Sequence, residues 1–179
     1  MFISNLLRSI VFSIAAAFLI FSQDHSVPLG ATVLLAVTAA NGFIGLALLP
    51  RKEFKDNVAL TLFMSAVSLT IGMFLLTTNG FIGLQNTQAD LVAFRTCVAV
   101  FVLSLAVAEF IQSGKAAAGD RLEYRISAAI AVITALIFAL APLNDVNAVG
   151  FLSAYLAISA VQRAIWIATD GKQVRNGKR

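Results

Sequence analysis

The sequence predicts an all-α protein, a polytopic membrane bundle of six transmembrane helices arranged as three helical hairpins. Three observations carry that expectation. Of 179 residues, 59% are apolar and only 12% are charged, against about half and about a quarter in soluble domains. Six long apolar runs recur along the chain, and Lys and Arg gather at alternate connections between them. Such a composition excludes a disordered chain, a disulfide scaffold and an ordinary soluble enzyme, because folding in water would leave too much apolar surface uncovered.

The runs occupy residues 6–21, 29–49, 58–78, 91–112, 126–141 and 147–168. At about 1.5 Å of rise per residue, crossing a hydrocarbon core of about 30 Å takes about 20 residues. Four runs reach that length. The first and fifth reach only about 24 Å at that rise, and are expected to thin the bilayer or to borrow flanking residues such as Phe2 and Ile3. The runs are continuous and rich in Ala and Leu, which favours helices over the alternating strands of a barrel. The first run is expected to be a retained helix. Ser22-Gln23-Asp24-His25, which follows it, lacks the small-x-small pattern of a cleaved leader.

Short connections favour antiparallel neighbours. Segments 22–28 and 142–146 read as tight turns carrying Pro28 and Pro142, and 79–90 is a longer link rich in Gly, Asn and Gln. Residues 1–170 are expected to form the six-helix domain and 171–179 a basic tail. Arg8, Arg51, Lys52, Lys55, Lys115, Arg121, Arg125, Lys172, Arg175, Lys178 and Arg179 fall on one side, where only Arg95 falls near the other, beside Asp24, Asp90 and Asp145. This bias places both termini in the cytoplasm. The stretches 8–51 and 125–172 share a layout of short helix, Pro turn and long helix, which suggests an internal repeat. The identical hexapeptides at 41–46 and 79–84 would sit at different depths and are taken as coincidence.

Three hairpins, a Pro-bearing turn, a return helix rich in small residues and a basic flank together resemble the HdeD-like family of small six-helix membrane proteins. Residues 147–172, with Gly150, Tyr155, Ser159 and Arg163, are most similar to that family's last helix. The resemblance implies a bacterial cytoplasmic (inner) membrane and an association with acid-stress resistance. It implies no particular biochemical activity.

Ionisable residues within apolar runs are the most informative positions, since charge in a bilayer is costly and usually paired. Glu109 and Arg163 lie at similar depth near the basic side. They are expected to pair with each other, to meet a partner protein, or to snorkel to the headgroups. Arg95, one turn inside the opposite side, could meet Asp90, Asp24 or Asp145, or anchor at the interface. Asn41 and Gln162 could hydrogen-bond across helices, each such bond being worth about 1 kcal/mol. Small residues four apart, at Ser13/Ala17, Ala36/Ala40, Ser104/Ala108, Ser153/Ala157 and Ala160/Ala164, make smooth stripes for helix contact within the bundle or with another subunit.

Signals for catalysis fail. Ser22, Asp24 and His25 are adjacent on one turn and cannot converge as a triad. Ser113-Gly114-Lys115 lacks the first glycine of a phosphate loop, and no dinucleotide, zincin or nucleophile-elbow pattern occurs. The single Cys97 and single His25 are too few for a transition-metal site, and Cys97 is expected to be a packing residue. No cofactor and no nucleic-acid partner are expected. The leading functional expectation is a non-enzymatic accessory or stress-related membrane subunit. It would dock through its helices to itself or to other integral membrane subunits, with lipids as its surroundings. The alternative is a small-solute channel or transporter.

Overall fold

A computed structural model describes residues 2–51, 57–79, 87–116 and 118–175. All the regular structure among them is helical: α1 (Phe2–Phe21), α2 (Val27–Leu48), α3 (Val58–Asn79), α4 (Thr87–Lys115), α5 (Ala118–Leu140) and α6 (Asp145–Arg175). Each is long and apolar enough to cross a membrane. The chain is therefore a multi-pass membrane protein.

Local chemistry sets the turns. After α1, the Asp24 carboxylate accepts hydrogen bonds from Ser26 N–H and from Ser26 Oγ, both at 2.9 Å. Pro28 then sits in the first turn of α2, where a missing N–H costs nothing. Before α6, Asn144 Oδ1 accepts from Asn147 N–H at 2.8 Å, capping an otherwise unsatisfied donor.

Two boundaries differ most from the apolar runs. The helix containing the short fifth run starts at Ala118, because Asp120, Arg121, Glu123 and Arg125 interrupt hydropathy without interrupting the helix. Its membrane-length portion is Asp120–Leu140. The sixth helix runs on to Arg175, so the first five residues assigned to the tail continue the helix. The first run does recruit Phe2 and Ile3. Of the duplicated hexapeptides, 41–46 lies within α2, whereas 80–84 lies outside the described residues.

Packing follows a pattern repeated three times. The extensive pairs are α2/α3, α4/α5 and α6/α1, while α1/α2, α3/α4 and α5/α6 touch more lightly and close the ring. Inside the ring, α2, α4 and α6 contact one another. Helices joined by the Pro-bearing turns are thus not the most intimate partners. In lipid, close approach of backbones rather than linker length decides which faces adhere. At α2/α3, a Cβ on Gly42 would come within 2.6 Å of Leu69 Cγ, and one on Gly45 would overlap Ser65 Oγ. At the opposite end of α2, a Cβ on Gly30 would meet Val149 Cγ2 of α6 at 2.8 Å and Phe94 Cζ of α4 at 3.0 Å.

The three central helices bury residues at spacings of three and four. On α4 the stripe is Phe94, Val98, Phe101 and Leu105; on α6 it is Val149, Leu152, Leu156 and Ala160; on α2 it includes Ala31, Leu34 and Val37. This is the spacing that keeps a seam between slightly supercoiled helices. Phe94 meets Phe138 of α5 edge to face, with ring centroids 6.4 Å apart.

Gly42→Ala is expected to destabilise the bundle by about 1–3 kcal/mol, the usual cost of overfilling a close contact. Gly150→Ala, where nothing lies within 4 Å of the new methyl, should be neutral or stabilising by up to about 1 kcal/mol. Reversible unfolding in mixed detergent micelles measures both.

Candidate functional site

Extending the buried stripes by one step toward the basic end brings charge into the core. Four residues beyond Leu105 on α4 stands Glu109, and three beyond Ala160 on α6 stands Arg163. The seam that packs Leu105 and Ala160 therefore also faces these two inward. Arg163 Nη2 donates to Glu109 Oε1 at 2.9 Å, and the two side chains are only 13% and 10% exposed. Arg163 Nη1 donates to Asn5 Oδ1 of α1 at 3.3 Å. The guanidinium carbon also lies 5.4 Å from the centre of the Phe12 ring, within cation–π range. One arginine thus ties α6 to both α4 and α1. Beside it, Ser9 Oγ donates to Ala160 O at 3.0 Å and reinforces the α1/α6 contact.

Arg8 completes the cluster, and sequence reasoning placed it among the orientation charges only. It stands one turn before Phe12 on α1, within electrostatic reach of Arg163, Glu109 and Tyr124. Its Nε is buried and has no hydrogen-bond partner. The available signal was its position four residues before Phe12, on the flank of a stripe that includes Ser9, Phe12, Ala16 and Leu19.

Two hollows flank the ion pair, and both are bordered by Asn5, Glu109, Tyr124 and Arg163. The larger, about 150 Å³, lies on the α5/α6 seam against Glu123, Ser127, Gln162 and Trp166. That seam is the least extensive of the six neighbouring contacts. The smaller, about 40 Å³, lies between α1, α3 and α4 against Ser4, Arg8, Thr61, Met64 and Gln112. Toward the other end, Phe94, Val98, Phe101, Leu152 and Leu156 fill the centre with apolar side chains.

The remaining candidates are dispersed. Asn41 Nδ2 donates to Ser68 Oγ at 2.8 Å across α2/α3, 27 residues apart in sequence. Gln162 makes no cross-helix hydrogen bond among the described residues; its Oε1 is buried without a partner at the wall of the larger hollow. Spacing alone could not show that its face of α6 opens onto that loosely packed seam. Arg95 meets backbone carbonyls rather than Asp90, Asp24 or Asp145 among the described residues. Its Nε donates to Phe138 O at 3.0 Å and its Nη2 to Ala141 O at 2.6 Å. These carbonyls end α5, where the helix has exhausted its own donors and carries partial negative charge. Arg95 therefore caps the helix packed most closely beside it.

Ser104, Ala108 and Ser153 face the bundle, while Ser13, Ala17, Ala36 and Ala164 are turned outward. Cys97 is buried as a free thiol. Asp24 is engaged by Ser22 and Ser26 in turn formation. Among the described residues no group of three or more His, Cys, Asp and Glu could hold a metal ion.

The fold and this site define a class: an integral membrane bundle with a charged cluster enclosed near its basic end. No family model, curated protein or solved structure matches the chain.

Removing one member of a buried ion pair costs about 3–5 kcal/mol because the other is left uncompensated. Glu109→Gln and Arg163→Met should each lower stability by an amount of that order. The double substitution should lose at least about 1 kcal/mol less than their sum, the signature of direct coupling. Unfolding free energies of the four proteins in one detergent close the cycle.

Proposed function

We propose that this chain is a non-enzymatic accessory subunit of a bacterial inner membrane, docking through its transmembrane helices to a larger transport or respiratory complex or to itself. One observation carries the reading. The small-residue positions Ser13 and Ala17 on α1 and Ala36 on α2 face away from the bundle, although lipid gives no reason to keep an outer face smooth and close helix contact does. Both helices also have bulky outward positions, such as Ile14, Phe18 and Phe43, which would flank a docked helix. The ion pair of Glu109 with Arg163 is made within the chain and acts as an internal tie. The lopsided distribution of Lys and Arg supports cytoplasmic termini. The HdeD-like resemblance supports a setting in stress resistance.

Photo-crosslinking residues placed at Ala17 and Ala36 in native membranes should capture a discrete polypeptide, which copurification then identifies. The same residue at Leu136, exposed on α5, should capture lipid alone. Lipid-only products from all three positions would exclude docking through these faces.

A small-solute channel or transporter is the second reading, favoured by the hollows on both sides of the ion pair. The apolar filling toward the other end opposes a continuous path. Liposomes holding the purified protein are expected to show no saturable flux of protons, urea or small anions. Saturable flux would favour transport.

A further inference from the structure

Charge in the cluster does not balance. Arg163 donates through Nη2 to Glu109 Oε1 and through Nη1 to Asn5 Oδ1, its Nε being buried and unpartnered, and among the described residues Glu109 is the only carboxylate bordering the smaller hollow. Arg8 borders that hollow as well, with its Nε buried and unpartnered. On α5, Glu123 is exposed and borders only the larger hollow. A guanidinium does not deprotonate in proteins. Among the described residues, two fixed cations and one carboxylate therefore leave one surplus positive charge at a depth where uncompensated charge is expensive.

We propose that the hollow between α1, α3 and α4 binds a small monovalent anion of halide size against Arg8. The lining suits one. Arg8 supplies charge and an unused N–H, Ser4 and Thr61 supply buried hydroxyls, and Gln112 supplies an amide. Leu60, Met64, Leu105 and Ala108 form the apolar part of the wall. Its size sets an upper limit. A cavity needs about 10–15 Å³ to hold one water, so about 40 Å³ accepts a halide with one or two waters and excludes a lipid phosphodiester with its glycerol. Water alone would fill the space but would leave the surplus charge unanswered. The proposal does not depend on what the outer faces of α1 and α2 contact.

The test uses the full chain in nanodiscs of zwitterionic lipid, with chloride or bromide exchanged for gluconate at constant ionic strength. The unfolding midpoint of the unaltered protein should rise with halide and saturate. Arg8→Met should show no halide response and should be at least as stable as the unaltered protein in gluconate, since it removes the surplus charge. Thr61→Val, nearly isosteric, should fold and weaken the halide response several-fold. Crystals grown in bromide should give an anomalous peak within hydrogen-bonding distance of Arg8. An unaltered protein indifferent to halide, or a full halide response retained by Arg8→Met, would overturn the proposal. So would stabilisation by anionic-lipid discs in gluconate with no further gain from halide, which would assign the same chemistry to a headgroup phosphate.

Discussion

Arginine cannot shed its charge, and the interior of a membrane bundle offers it little water. That constraint governs the basic end of this protein. Arg163 is accommodated by three groups from two other helices: a carboxylate from α4, an amide oxygen from α1, and the face of an α1 phenylalanine. Each contact also fixes the height of one helix relative to another. An apolar seam alone is tolerant of sliding by a turn, because one Leu or Ala fits much like the next. A guanidinium that must find Oε1 of one particular glutamate is not. In this bundle the ion pair sets register, while the apolar stripes beyond it supply most of the contact area.

The same economy operates at the opposite end. Among the described residues Arg95 meets no carboxylate and uses the end of a helix as its counter-charge. One side chain thereby answers two demands, the guanidinium near the start of α4 and the carbonyls at the end of α5. The α4/α5 pair, the most extensive contact among the described residues, is thus clamped by charge at one extremity and packed there by Phe94 against Phe138.

Much of this was legible in the sequence, for reasons that can be named. Six membrane-length helices follow from hydropathy, which depends on composition over a window and little on partners. Glu109 and Arg163 stood out because charge is rare within apolar runs. The three-and-four spacing from Phe94 to Leu105 and from Val149 to Ala160 continues onto them. Arg8 was harder to recognise, since near the start of a first helix a basic residue serves orientation equally well. The partners of Arg95 were hidden because backbone carbonyls have no letter in a sequence. Helix pairing was hidden for a related reason: Gly42, Gly45 and Ser65 act through how closely two backbones approach, and connection length carries no trace of that.

Synthesis order gives the position of these contacts a temporal meaning. The residues that answer α4 are made after it: Ala141 follows Arg95 by 46 positions and Arg163 follows Glu109 by 54. At a translation rate of about 5–20 residues per second, α4 exists for several seconds with both charges unanswered. During that interval it is a poor candidate for release into lipid by itself. Its integration is tied to the emergence of α5 and α6, so the second half of the chain partitions from the insertion machinery as one delayed unit rather than helix by helix.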